Sequence, residues 1–500
     1  MRRDLGDFQT PPALVAAVLD RLGLIGVRWP RVLEPACGRG HFLEGLIGRG
    51  APPCEIRGVE IQHGHAEAAR AVALGAPPSV HAEVMRASLF DLDLRRDLRW
   101  SGRGPLLVVG NPPWVTNAEL GALDSENLPR KRNLKKLRGI DARTGASNFD
   151  IAEAIWLKLI DELADEEPTI ALLCKTSVAR SVLEFARHAT LPVARAALFR
   201  IDAARWFRAA VDACLFCVTL GPGGPPEGVP VFDDLGASAP SSEMGFAAGR
   251  LVADLDGYRA VAFADGRCPL TWRQGLKHDA ASVMELIREG ASGPLRNKRG
   301  EVVDVEPDSA YPLIKGADLP RPPSERPSRF VIVTQRRIGL DTGPIEHLAP
   351  RLWRYLHAHA AEFSKRKSSI YRGQPSFAMF GVGPYSFAPH KVAISGLHKA
   401  PMFHAIGPVE GRPVMLDDTC YFVACSSPER AALVSALLNT PVALGMIRAL
   451  AFREAKRPIT KAILQRIDLE AIAARANRSD LPGDLGTCWS DIRSQLAMMT

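Results

Sequence analysis

From residue 12 to about residue 220, short apolar runs alternate with amphipathic stretches. VRWPRVLEP, IRGVEI, GPLLVVG, TIALLCK, LFRID and VDACLFCVTL are apolar enough for strands covered on both faces. Between them, HFLEGLIGRG, HGHAEAARAVALG and FDIAEAIWLKLIDELA carry helical spacing. Such alternation predicts a mostly parallel sheet with helices on both faces, a doubly wound α/β domain. GPGGPPEGVP at 221–230 punctuates the pattern and marks a boundary. Beyond it, short strand-like pieces (RFVIVTQ, HKVAISGL, CYFVACS) mix with the Pro-rich PRPPSERP at 320–327 and with helices near 347–363 and 428–450. That texture is α+β, without internal repeat or heptad array. The expected division is residues 1–225, 226–480 and a C-terminal tail at 481–500.

The chemistry collects where the strands end. VLEPACGRG runs from an apolar strand into Glu34, Pro35 and two glycines, Gly38 and Gly40. Glycines let such a turn bring bare N–H groups against a ligand. The carboxylate of Glu34 would repel a phosphate, so a ligand with a cationic or hydroxylated end fits better. Glu60 ends the next strand, twenty residues after Gly40, at the offset of a ribose-binding acid in doubly wound nucleotide sites. In LLVVGNPPWVT, Asn111, Pro112, Pro113 and Trp114 follow a buried strand directly. Two prolines fix the backbone so that the Asn amide and a main-chain carbonyl converge, enough to hold both hydrogens of an exocyclic amine. Trp114 offers a face on which a planar base can stack.

Composition narrows the classes. With 500 residues, 46% hydrophobic and 24% charged, the chain is too long for one ordinary core and fits a globular, multidomain protein. It contains no run of about 18 apolar residues. MRRDLGDFQTPP lacks the apolar core of a signal peptide, so an intracellular, cytoplasmic protein without a membrane partner is expected. Nine cysteines are scattered, and the close pair Cys214 and Cys217 falls on one strand, facing opposite ways. Buried thiols are expected there, with no metal site. The net charge of +8 hints at a polyanionic partner.

Taken together, these motifs resemble the S-adenosylmethionine-dependent DNA adenine-N6 methyltransferases, in the group where cofactor motifs precede the catalytic one and a target-recognition domain follows. The resemblance implies roles residue by residue. FQTPPALV is similar to the leading motif, placing Thr10 and Pro11 near the cofactor's methionine end. EPACGRG would be the cofactor turn through Glu34, Pro35, Gly38 and Gly40, and Glu60 would take the ribose position. NPPW is similar to the catalytic tetrapeptide, with Asn111 adjoining both cofactor and base. RWFRAAVDACLFCV resembles the later motif that supports a flipped base, through Phe207 with Trp206 second, and SNFDIAEA makes Phe149 a cofactor contact. The family often carries an Asp that binds the cofactor's adenine amine; here the alignment puts Ser88 at that place, with Asp91 as the alternative.

The implied partner is double-stranded DNA, with a separate cognate restriction endonuclease as a further one. RKRNLKKLR, residues 130–138, carries six basic side chains and no acid. Arg130, Lys131, Arg132, Lys135 and Lys136 are expected at phosphates beside the flipped nucleotide, a solvated helix face being the alternative. Lys365, Arg366 and Lys367 in SKRKSSIYRG, and Lys456 and Arg457 in EAKRPIT, read similarly. YPLIKGADL, VTQRRIG, FGVGPYSFAPHKVAISGLHK and MLDDTCYFV resemble C-terminal specificity regions of restriction-associated adenine methyltransferases. The same tetrapeptide also serves enzymes that methylate RNA bases or a protein glutamine amide, which stand as the alternative.

Overall fold

The computed structural model describes residues 9–23, 29–115, 150–290, 292–322 and 328–475. Its chain contacts divide it into two compact units, Met1–Leu255 and Asp256–Thr500.

The first unit is built on β1 (Arg31–Glu34), β2 (Glu55–Glu60), β3 (His81–Arg86), β4 (Leu106–Gly110), β5 (Thr169–Lys175), β6 (Val193–Ile201), β7 (Ala213–Leu220), β8 (Gly228–Phe232), β9 (Ser242–Ala247) and β10 (Arg250–Val252). They form one sheet in the order β10-β9-β8-β6-β7-β5-β4-β1-β2-β3. Strands β3, β2, β1, β4 and β5 are parallel to one another, and β7 runs antiparallel between β5 and β6. Every residue of β1, β2 and β4 is buried, as strands covered on both faces must be. On one face, α1 (Pro12–Gly23), α2 (His41–Ile47) and α3 (His63–Leu74) share an apolar core with alternate residues of the strands, among them Val32, Ile56, Leu107 and Val109. On the other, Trp156 of the Ile151–Leu163 helix meets Phe216 of β7, ring centroids 4.8 Å apart. This is the Rossmann-like, doubly wound α/β architecture. Cys214 and Cys217 are buried thiols on β7.

Two elements differ from expectation. Strand β3 carries no apolar run: it is the last strand of the sheet, and only Val84 on it is buried. The Gly/Pro-rich stretch at 221–230 does not end the sheet. Instead β8 pairs with β6 across it, through Leu198↔Val231 and Phe199↔Phe232, and β9 and β10 continue outward. The compact unit therefore runs to Leu255 rather than to about residue 225.

The second unit is α+β, with β11 (Arg273–Gln274), β12 (Glu285–Arg288), β13 (Leu295–Asn297), β14 (Ala310–Ile314), β15 (Arg329–Ile332), β16 (His390–Ser395), β17 (His404–Ile406), β18 (Met415–Leu416) and β19 (Cys420–Cys425). They make two sheets, ordered β11-β19-β16-β17 and β13-β12-β15-β14-β18. The helices Pro428–Leu438 and Pro441–Leu450 pack into the core of the first of these. Among the described residues no single helix is long and apolar enough to cross a membrane. The expected tail, 481–500, lies outside the described residues.

Candidate functional site

Strand order reverses between β1 and β4, because β1 leads outward to β2 on one side while β4 leads to β5 on the other. Ligands of open α/β sheets bind beyond the strand ends at such a point. Glu34 ends β1, Glu60 ends β2, Gly110 ends β4 and Lys175 ends β5.

The turn after β1 needs its glycines. Gly38 and Gly40 have φ of +53° and +90°, a region that side chains strongly disfavour. A Cβ on Gly40 would also lie 3.1 Å from Cα of Ala69, so α3 packs directly against the turn. Glu60 anchors this turn: one carboxylate oxygen accepts the Gly38 N–H at 2.9 Å and the other the Gln62 N–H at 2.7 Å. The segment before α1 closes over it, since Arg39 N–H donates to Gln9 Oε1 at 3.2 Å and His41 Nδ1 lies 2.8 Å from the Thr10 carbonyl. Thr10, Pro11, Glu34, Pro35, Gly38, Gly40 and Glu60 thus surround one turn.

Glu34 is 2% exposed, and its Oε2 has no hydrogen-bond partner among the described residues. Burial pushes its carboxyl well above the ordinary carboxylate range, and repulsion from Glu60 adds to the shift. Burial and the same two carboxylates also raise the Cys37 thiol. This donor set suits a cationic, hydroxylated ligand and opposes a phosphate. S-adenosylmethionine, with a sulfonium, an ammonium and a ribose, fits those requirements.

The tetrapeptide adjoins the glycine turn. A Cβ on Gly110 would sit 3.3 Å from Glu34 Cγ and 3.6 Å from Pro35 Cδ, so glycine permits this approach of β4 to β1. Asn111 follows at once, its side-chain oxygen shielded from solvent. Trp114 is 6% exposed: its indole N–H donates to the Leu173 carbonyl of β5 at 3.2 Å. Its ring meets that of Phe207, at the end of the short helix Ala203–Phe207, edge to face at 5.0 Å. The two aromatics predicted to support a base therefore meet each other in one buried cluster, while Trp206 is only partly buried beside it. Ser88, just past β3, uses its hydroxyl oxygen to accept the Phe90 N–H at 3.3 Å, and Asp91 is exposed one short turn later.

Two residues that sequence reasoning missed complete this edge. Asp150 caps the Ile151–Leu163 helix by accepting the Ala152 N–H at 3.0 Å, and its other oxygen pairs with Lys175 Nζ at 2.9 Å. Ile151 N–H in turn holds the Val115 carbonyl at 3.0 Å, fixing the exit of the tetrapeptide. The available signal was a charge ending the apolar run TIALLCK, as charges end the runs at Glu34 and Glu60.

Phe149 and the basic residues Arg130, Lys131, Arg132, Lys135 and Lys136 lie outside the described residues. In the second unit, Lys367 and Lys456 are exposed, and Lys365 is an exposed lysine beside Glu362 at 2.6 Å. Arg366 is engaged within its own fold: it donates to the Ala378 carbonyl at 2.8 Å and lies 3.9 Å over the Tyr371 ring. Arg457 pairs with Asp418 at 3.0 Å.

No protein-family model matches the chain. A curated relative, the Type II methyltransferase M.NspV of Nostoc sp. (strain ATCC 29411 / PCC 7524), is 36% identical over 484 residues, covering 94% of this chain and 97% of that one. Among solved structures, the Type IIL restriction-modification enzyme MmeI in complex with DNA matches with a TM-score of 0.53 at 14% identity, over 95% of this chain and 70% of the other. That second likeness is one of fold.

Proposed function

Since the chain belongs to the Type II methyltransferase family, a restriction–modification DNA methyltransferase, we propose that it moves a methyl group from S-adenosylmethionine to N6 of an adenine turned out of duplex DNA. One observation carries this: the Asn-Pro-Pro-Trp turn adjoins a glycine turn built around a buried, cation-seeking carboxyl, with 3.3 Å between Glu34 Cγ and the missing Cβ of Gly110.

When bound, the cofactor supplies a methyl group on a positively charged sulfur. Glu34 offsets that positive end, and Glu60 has remaining lone pairs for the ribose hydroxyls. Ser88 or Asp91 takes the cofactor's adenine amine, and Thr10 and Pro11 border its methionine end. The amine of the target adenine is a poor nucleophile, because its lone pair is delocalised into the ring. Asn111 Oδ1 and the Pro112 carbonyl accept its two hydrogens and draw the nitrogen toward a tetrahedral geometry. Pro113 stiffens the turn, and Trp114 with Phe207 forms the wall against the extruded base. Most of the rate enhancement is then positioning and electrostatics.

Phosphate contacts fall to Lys365, Lys367 and Lys456 and to the basic run at 130–138, and a separate endonuclease would cut the unmethylated site. Replacing Lys135 and Lys136 by Ala should flatten the salt dependence of DNA binding. The direct test is Asn111→Ala: methyl transfer to duplex DNA should fall by about 10²–10³, with cofactor binding retained. A folded variant that no longer binds cofactor contradicts the role given to Asn111.

A further inference from the structure

One motif of the second unit remains without a task. In FGVGPYSFAPHK, the turn Pro384–Phe387 carries Tyr385 and Phe387, and an arginine lies on each ring. The Arg273 guanidinium is 4.6 Å from the Tyr385 ring centroid, and that of Arg336 is 4.3 Å from Phe387. Both arginines are exposed, and neither pairs with a carboxylate among the described residues. That sets them apart from Arg288, Arg296, Arg299, Arg351 and Arg466 of the same unit, each neutralised by an acid.

The platform is rigid. Ser386, 3% exposed, ties the turn to itself: its N–H donates to the Gly383 carbonyl at 2.8 Å, and its hydroxyl to the Gly381 carbonyl at 3.2 Å. A Cβ on Gly381, at φ +68°, would lie 2.1 Å from the Gly275 carbonyl oxygen, so the turn is locked against the start of the Gly275–Lys277 segment. Lys277 and Phe380 exchange both backbone hydrogen bonds, at 2.9 and 2.8 Å. Tyr385 packs on Phe422 of β19 and Phe387 on Tyr311 of β14, so each ring is seated on a different sheet of the unit.

An arginine held over an aromatic face keeps its charge and its N–H donors, with less rotamer freedom left to lose on binding. Exposed guanidiniums with N–H donors to spare suit the oxygen atoms of a phosphate backbone passing over the surface. We propose that Arg273 and Arg336, stacked on the two rings of the Pro384–Phe387 turn, grip the phosphate backbone of the target duplex. This rests on the DNA-methyltransferase function argued above.

The test uses the full chain with Arg273→Gln, Arg336→Gln and the double variant. Affinity is measured against salt for two short duplexes, one methylated by the wild type and one of scrambled sequence. Each single variant should weaken binding to both duplexes alike and lower the slope of log K against log salt by about 0.9. Cofactor affinity and the thermal midpoint should stay put. Arg336→Lys should keep the slope but not the full affinity, since charge survives and the planar fork does not. Unchanged slopes, or a loss confined to the methylated sequence, overturn the phosphate grip while leaving the enzyme's function intact. A wild-type chain with no affinity for duplex DNA overturns that function itself, and the grip with it.

Discussion

Glu34 stands at the end of a strand covered on both faces, with the Glu60 carboxylate acting on it and one oxygen lacking a partner among the described residues. A group so placed prefers to be a neutral acid until a cation arrives. Its folded-state pKa is raised, so its contribution to stability is full below the unfolded value, about 4.3, and is lost as pH rises through the raised one. Glu34→Gln removes that penalty, so the variant should gain stability relative to wild type in denaturant melts as pH increases, the difference vanishing toward acid. The same variant should bind S-adenosylmethionine about ten- to a hundredfold more weakly, the worth of a hydrogen bond to a charged group. In the wild type, cofactor binding should tighten with rising pH, because the ionised form meets the cation. A flat profile together with unchanged affinity in Glu34→Gln would refute this role. Glu34, Glu60 and both glycines were legible in the sequence, because charges and glycines there stand directly after apolar runs. The anchor of the Trp114 indole was not: it is the Leu173 carbonyl of β5, far along the chain, and pairing at that distance leaves no local pattern.

Elements hold these residues in place through a few specific contacts. Gly40→Ala would force a side chain into a left-handed conformation and against α3, costing about 1–3 kcal/mol of stability and weakening cofactor binding. Chemical denaturation with binding measured in parallel checks both effects, and a variant as stable as wild type would refute the tight approach. The Asp150–Lys175 pair separates into two parts. Asp150→Asn keeps the cap on Ala152 N–H and should lose about 1.5–3 kcal/mol from the charged hydrogen bond, whereas Asp150→Ala should lose about 1 kcal/mol more with the cap. Equal losses in the two would place all the stability in the ion pair. The strands β4, β5 and β7 were readable because burial on both faces leaves apolar runs, and β1 and β2, where Arg31, Glu55 and Arg57 are buried among apolar residues, were readable from their alternation with helices. Strand β3 has mostly exposed and half-buried positions at the sheet's edge, and β8 begins inside the Gly/Pro-rich stretch and contains its last residue, Pro230. Both look like loop until neighbouring strands supply their hydrogen bonds.

At the scale of the whole chain, the first unit's architecture was predictable from alternation alone, because a parallel sheet imposes one repeating pattern on its sequence. The second unit follows no such rule: its strands are two to six residues long and fall into two sheets, so periodicity has little length in which to show. The similarity to M.NspV spans both units, covering 94% of the chain, so the second is as much part of the family as the first. The central claim concerns the atom that receives the methyl group. Incubation with methyl-labelled S-adenosylmethionine and unmethylated duplex DNA, followed by digestion to nucleosides, identifies it directly. N6-methyladenine should carry the label in the wild type, and Asn111→Ala should lower it by about 10²–10³ while still binding cofactor. Label recovered in cytosine, in RNA or in protein, with none in adenine, would contradict the account.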